Sequence, residues 1–223
     1  PAQRDAGPDQ GVSRMSPRPS PPKARAQVAP VATVAVDLSK TPIFQISLSE
    51  LTSDTRIAPN FLLHELTRSE LADRRGIDNN FPSDRELRAA IHLAREVLQP
   101  IRKELGPYTP NSVFRGHGLE RALKNKPATW ISTSQHARGQ ACDIEIVGMS
   151  TLALANWAKD NLKDFDQIIC ECFDPLKGPN SGWVHISLKA PDSGPNRKQL
   201  LSYIRDPRSG RMIYVPELCA DAG

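Results

Sequence analysis

Apolar residues follow a helical period through one long segment near the middle of the chain. They recur every three or four positions and form one face, which consists of Leu87, Ile91, Ala94, Leu98 and Ile101. Ser83 and Glu86 stand before this face in the spacing of a capping box, and Gly106 follows its last turn. The pattern therefore predicts one long amphipathic helix that lines the core.

Shorter apolar runs after residue 110 have the length and composition of β-strands. We predict strands at 112–115, 141–147, 165–173 and 183–188, and a closing hairpin over 200–215. Two shorter helices are predicted between the strands, one at 119–124 and one that Ser150 caps. A long helix followed by mostly antiparallel strands is the order of an α+β fold with a central antiparallel sheet.

Residues 1–30 differ in composition from the rest of the chain. They hold seven prolines and five Arg or Lys residues but almost no large apolar side chain. Such a segment buries too little apolar surface to offset its conformational entropy. We therefore expect a disordered tail over residues 1–45, one folded domain over 46–205 and a hairpin extension over 206–223.

The overall composition excludes several classes of protein. Apolar residues make up 39% of the chain and charged residues 24%, and no apolar run approaches the roughly 20 residues that cross a bilayer. The net charge of +4 is small and no nucleic-acid-binding motif accompanies it, so we expect no sequence-specific contact with nucleic acid. Cys142, Cys170 and Cys172 lie in predicted strands, where we expect them to act as small buried residues.

Two histidines and one aspartate have the spacing of a metal site. His136 precedes Asp143 by seven positions, and His185 follows Asp143 by 42. Gly139 allows a sharp turn between the first two residues, and Ala141 allows close packing beneath a metal ion. Two imidazoles and a carboxylate are ligands that Zn²⁺ accepts, and three ligands leave a fourth position for water, as catalytic zinc sites require.

The run Ser134-Gln135-His136-Ala137-Arg138-Gly139-Gln140-Ala141-Cys142-Asp143, followed later by Trp183-Val184-His185, resembles the M15 zinc peptidases. This group contains D-Ala-D-Ala carboxypeptidases and L-alanyl-D-glutamate endopeptidases, and the likeness is to its short phage-borne branch. Further similar segments extend the resemblance over roughly residues 60–203. The resemblance implies the α+β fold shared with the hedgehog signalling domain, one zinc ion, and hydrolysis of peptide bonds in bacterial peptidoglycan stem peptides.

The resemblance also implies roles for single residues. His136, Asp143 and His185 match the zinc ligands of the family. Arg115 matches a family arginine that could bind a substrate carboxylate or stabilise the developing oxyanion. Ser134 could orient a ligand or the substrate, and a turn hydroxyl explains this serine equally well.

The general base departs from the family pattern. Several members place an acidic residue three positions before the last ligand, where this chain has Gly182. Either another carboxylate takes the proton, or the domain is weakly active or inactive. Strand alternation puts Gln167 and Glu171 on one face, and pairing with the following strand would bring Glu171 close to the last ligand. We therefore predict Glu171 as the base and Gln167 as a substrate contact, with Asp174 and Glu145 as alternative bases.

The sequence alone also allows a second function. The protein would then be a virion or envelope structural protein with a weakly active or inactive domain, and its N-terminal tail would dock to partners in the assembly. Gly182 favours this alternative. The intact ligand trio favours the enzyme, because an inactive domain has no chemical need for three separated ligands. The phage likeness implies a virion or lysis-associated protein that acts at the cell wall.

Overall fold

The computed structural model describes residues 36–218, so most of the predicted tail and Cys219 lie outside the described residues. The helices are α1 (His64–Thr67), α2 (Glu70–Arg75), α3 (Asp84–Leu93), α4 (Gln99–Leu105), α5 (His117–Lys124) and α6 (Thr151–Asn161). The strands are β1 (Arg56–Ala58), β2 (Phe61–Leu62), β3 (Ala141–Ile144), β4 (Gln167–Glu171), β5 (Trp183–Ser187), β6 (Gln199–Arg205) and β7 (Met212–Pro216). The predicted combination of helices and sheet is confirmed. Within this part of the chain, none of the helices has the length and apolar character needed to span a bilayer.

Residues 36–45 run beside the first strand of the domain. The Leu38 N–H donates to the Arg56 carbonyl over 2.8 Å. The Arg95 guanidinium donates to the carbonyls of Leu38, Thr41 and Ile57. One arginine of the long helical segment therefore joins these residues to β1.

The predicted long helix begins where we expected it, but it is not one regular α-helix. The Ser83 hydroxyl accepts the Arg85 N–H over 3.1 Å and thereby caps α3. After α3 the chain forms a π-helical turn, Ala94–Leu98, and continues as α4. Pro100 has no N–H to donate to the Glu96 carbonyl, which interrupts the α-helical ladder at this point. The five apolar residues of the predicted face are nevertheless all buried.

The main sheet contains five strands in the order β3-β5-β4-β6-β7. Neighbouring strands are antiparallel except β4 and β6, which are parallel. The prediction of mostly antiparallel strands is confirmed, and the β4–β6 pair is the exception because β6 passes to the far edge of β4 instead of pairing with β5. The predicted closing hairpin is confirmed as β6 and β7. The predicted strand at 112–115 is reduced to one bridge between Ser112 and Asp143.

The two faces of this sheet meet different surroundings. One face joins the hydrophobic core with Cys142, Ile144, Ile168, Cys170, Val184 and Ile186. Helix α6, which Ser150 caps as predicted, packs against β4 and β5. The other face borders a cleft. Two of the three strand cysteines are thus buried as predicted, whereas Cys172 is only half-buried.

Candidate active site

Two of the three predicted metal ligands stand side by side on the main sheet. Asp143 of β3 and His185 of β5 are direct partners in the antiparallel register, so their side chains leave the same face. His136 reaches the same point from the 3-10 turn that precedes β3. The fold thus brings together residues that lie up to 49 positions apart in the chain.

Each of the three side chains presents one ligand atom to a common point. His136 Nε2 lies 3.2 Å from both His185 Nδ1 and Asp143 Oδ1, and the last two atoms are 3.1 Å apart. A tetrahedral zinc ion with bonds of about 2.0–2.1 Å needs its ligand atoms about 3.3 Å from one another. All three residues are buried. The set could therefore hold such an ion with little adjustment.

The surroundings keep these ligands in the protonation states that a metal requires. The Val113 carbonyl lies 2.7 Å from His136 Nδ1. Because a carbonyl only accepts, this nitrogen carries the proton and Nε2 keeps its lone pair for a metal. Burial lowers the pKa of His136, which favours the neutral ring. Burial raises the pKa of Asp143, but the His136 and His185 rings hold it well below its usual range.

Gly139 lets the turn that carries His136 rest directly on helix α3. Its φ is +68°, in the left-handed region, and a Cβ atom there would lie 2.3 Å from the Glu86 carbonyl oxygen and 3.1 Å from the Ala90 nitrogen. Only glycine meets both conditions. The predicted sharp turn is confirmed, and the long helix supports it.

Arg115 connects the ligand cluster to a second buried carboxylate. Its Nη1 donates to Asp143 Oδ2 over 2.9 Å, and its Nε donates to Glu120 Oε1 over 2.8 Å. Asp143 therefore turns one oxygen towards the two histidines and the other towards Arg115, which fixes its orientation. Arg115 also lines the cleft. No described residue accepts a hydrogen bond from its Nη2.

Glu120 is a residue of the site that sequence reasoning missed. Its side chain is fully buried on α5, and its Oε2 accepts from Lys124 Nζ over 2.6 Å and from Ser132 Oγ over 2.8 Å. Burial raises the pKa of this carboxyl, but Lys124, Ser132 and Arg115 hold it below its usual range. In the sequence it is one charge on a short amphipathic helix, where a solvated position is the ordinary expectation.

Glu171 ends β4 inside the cleft, next to the metal ligands. β4 pairs antiparallel with β5 as predicted, with Ile169 opposite His185 and Glu171 opposite Trp183. Gln167, Ile169 and Glu171 all line the cleft, which confirms the predicted alternation along this strand. Burial raises the pKa of the Glu171 carboxyl, and the nearby His185 offsets this only in part.

The two alternative bases do not line the cleft. Glu145 is exposed beyond the end of β3, where its N–H donates to Asn111 Oδ1 over 3.1 Å. Asp174 caps a 3-10 turn by accepting the Leu176 N–H over 3.1 Å. Of the three carboxylates considered, Glu171 alone faces the cleft.

Gly182 is a glycine for steric reasons. Its φ is +68°, and a Cβ atom would lie 2.1 Å from the Glu171 carbonyl oxygen and 2.7 Å from the Phe173 nitrogen. Position 182 therefore has no room for the acidic side chain that several family members carry. The backbone that fills this space belongs to the end of β4, where Glu171 stands.

Ser134 and Gln167 both border the cleft. Ser134 Oγ accepts the His136 N–H over 3.3 Å, as a turn hydroxyl does. Gln167 Nε2 donates to Gln199 Oε1 over 2.8 Å. Both side chains make these contacts and still line the cleft.

The cleft has a volume of about 870 Å³, within the range of sites that enclose a ligand. The β6–β7 hairpin supplies part of its wall through Tyr203 and Tyr214, whose ring centroids are 4.5 Å apart. Tyr203 is the direct register partner of Glu171 and of Tyr214. The hairpin therefore takes part in the site, although the sequence indicated only an extension.

Comparison with known proteins agrees with this geometry. A family model described as Peptidase M15 matches residues 59–187, which is more than half of the chain and includes all three ligands. No curated protein matches the chain. The family match confirms the resemblance that the ligand motif indicated. The chain therefore belongs to the peptidase M15 family of metallopeptidases.

Proposed function

We propose that the protein is a zinc-dependent peptidase that hydrolyses peptide bonds in bacterial peptidoglycan stem peptides. The observation that carries the proposal is the meeting of His136 Nε2, Asp143 Oδ1 and His185 Nδ1 at the cleft, within 3.2 Å of one another. The peptidoglycan substrate and the phage-type branch rest on the sequence resemblance. Assembly through the N-terminal tail remains a separate hypothesis.

In this proposal each residue of the site has a distinct task. His136, Asp143 and His185 would hold zinc, which when bound would supply the Lewis acidity that activates water and polarises the scissile carbonyl. Glu171 accepts the proton of the attacking water and returns it to the leaving amine, and a pKa raised by burial suits a base that works near neutral pH. Arg115 orients Asp143 and offers Nη2 to the substrate oxygen.

Metal analysis combined with digestion of purified muropeptides tests the proposal. After exhaustive dialysis, the wild type should retain about one equivalent of zinc, the stoichiometry of a three-residue catalytic site. His136→Ala should lose the metal and all cleavage. His64→Ala, at a half-exposed histidine away from the cluster, is the matched control and should keep both.

Two results would contradict parts of this proposal. A folded wild type that takes up no zinc would exclude the metallopeptidase. A wild type that holds zinc but leaves every muropeptide intact would favour the structural alternative, in which the domain serves as a binding module.

A further inference from the structure

A buried carboxylate that the proposed chemistry does not use lies in the floor of the same cleft. Asp166 precedes β4 and is fully buried. Its two oxygens accept from Arg197 Nε at 3.0 Å each, from the Arg197 backbone N–H at 2.9 Å, and from Gln135 Nε2 at 2.9 Å. Arg197 Nη2 also donates to Asp166, and Lys189 Nζ lies 3.7 Å away. So many donors on one carboxylate make a rigid anchor.

The anchor holds a guanidinium group at the cleft surface. Arg197 is fixed through Nε and Nη2, yet 48% of its side chain is exposed. No described residue accepts from its Nη1. Gln135 gives its Nε2 to Asp166, and its Oε1 has no donor among the described residues. Arg197 and Gln135 thus present a donor and an acceptor from a preorganised frame.

The strand register gives the spacing between the metal ligands and the sheet row that borders this frame. Gln135 is adjacent to His136 in the chain, and Asp166 is adjacent to Gln167, which pairs with Ser187. Ser187 is two residues from His185 on β5. Since a strand advances about 3.4 Å per residue, the Gln167 row lies about 7 Å from the row of the metal ligands. Glu171 lies at the opposite side of that row.

The charge of the cleft wall suits an anion at this end. Two basic side chains of the cleft lining, Lys189 and Arg197, stand beside Asp166, and Lys189 Nζ also donates to the Pro195 carbonyl. Among the described residues, Asp166 is the one carboxylate paired with Arg197 and Lys189, so one positive charge remains uncompensated. An arginine held by its Nε edge and an adjacent ammonium are the groups that recognise a carboxylate.

We propose that Arg197, anchored by Asp166 and assisted by Lys189, is a substrate subsite that binds a carboxylate about two residues from the scissile bond. An extended peptide spans about 3.3–3.6 Å per residue, so two residues bridge the estimated 7 Å. The substrate class is therefore an acidic peptide. This inference rests on the proposed peptidase function for the identity of the scissile bond.

The test compares a stem tetrapeptide that has free carboxylates with the same peptide in which every carboxylate is a carboxamide. The wild type should show a KM about tenfold to a hundredfold lower for the acidic peptide, which is the effect of one charge-assisted hydrogen-bonded pair. In Arg197→Gln this preference should fall to less than about threefold. Arg208→Gln removes an equal charge from the exposed hairpin turn and should retain the wild-type preference.

A purely structural arginine would give a different result. Arg197→Gln would then weaken both peptides equally and lower the Tm, and the subsite would be excluded. If Arg197→Gln does not fold, Arg197→Lys is the second variant. It keeps the positive charge beside Asp166 but loses the planar guanidinium group. The ratio of the KM values for the two peptides should then fall to the square root of the wild-type ratio or below. An unchanged preference in Arg197→Lys would also exclude the subsite.

Equilibrium binding separates this inference from the proposed function. Binding of both peptides to the zinc-loaded full chain is measured by calorimetry at low temperature, alongside cleavage. Cleavage of both peptides with no role for Arg197 would refute the subsite and leave the peptidase. Arg197-dependent binding of the acidic peptide without any cleavage would refute the peptidase and leave the subsite.

Discussion

The carbonyl oxygen of Glu171 lies 2.1 Å from the point that a Cβ atom of Gly182 would occupy. The end of β4 is thus pressed against the residue where several family members carry their acid. Glu171 itself lines the cleft on the neighbouring strand. A glycine at position 182 therefore allows the end of β4 to lie directly against the residue that precedes β5.

Gly182→Ala should destabilise the protein far more than the left-handed backbone conformation of this residue alone would explain. Gly210 has φ +67° and open space around it, so Gly210→Ala is a matched control that tests backbone strain without a clash. We expect Gly210→Ala to cost about 1–2 kcal/mol and Gly182→Ala about 3 kcal/mol or more. Urea unfolding measures both. Equal losses in the free energy of unfolding would show that the backbone around Gly182 and Glu171 accommodates the added methyl group at no further cost.

Glu171→Gln should lower kcat for muropeptides by roughly 10²–10⁴-fold while the zinc content is unchanged. The amide keeps the shape of the side chain but cannot take a proton. Asp174→Asn, at a carboxylate that caps a surface turn, is the control and should retain wild-type turnover. Near-normal turnover of a zinc-loaded Glu171→Gln protein would show that another group is the base.

Glu120→Gln should weaken both folding and metal binding. The substitution removes a buried charge that Arg115 and Lys124 neutralise, and we expect a loss of about 1–3 kcal/mol in the free energy of unfolding. Because a neutral amide holds Arg115 less firmly than the carboxylate does, zinc affinity should fall by about tenfold, which is the lower end of the effect of outer-shell partners. Glu104→Gln, at an exposed surface pair, should change neither quantity. An unchanged zinc affinity would show that Asp143 is positioned without Glu120.

Acidification should destabilise the zinc-free protein in part through His92. Burial lowers the pKa of His92 in the folded state below its value of 6.5 in the unfolded chain. Between these two pKa values the unfolded chain binds more protons, so the stability present above pH 6.5 is lost as the pH falls through the folded-state pKa. His92→Gln should reduce the fall in Tm between pH 7.5 and 5, and His64→Gln should leave it as it is. An identical fall in Tm in the wild type and in both variants would refute the contribution of His92.

The ligand set could be predicted because its information is local and chemical. His136, Gly139 and Asp143 form one short motif, and the structure adds that Gly139 rests on α3. The orientation of Glu171 followed from strand alternation, since the period of two needs no knowledge of the rest of the fold.

Other parts of the site depend on pairings that no short segment encodes. Nothing in the sequence near β6 shows that it joins the far edge of β4 and so places Tyr203 beside Glu171. Asp166 is buried with Arg197, which lies 31 positions further along the chain, as its partner. A charge that a remote partner neutralises cannot be distinguished from a solvated charge by its local sequence.

The strand order also bears on how a newly synthesised chain acquires its parts. All three metal ligands have been made by residue 185, whereas β6, which covers the far edge of β4, and β7, which pairs with β6, follow later in the chain. A nascent or prematurely terminated chain that ends before residue 199 would hold every zinc ligand and yet present an unpaired strand edge. Such an edge pairs readily with other chains. The pairing of β6 with β4 thus covers this edge at the same step that brings Tyr203 and Tyr214 to the cleft.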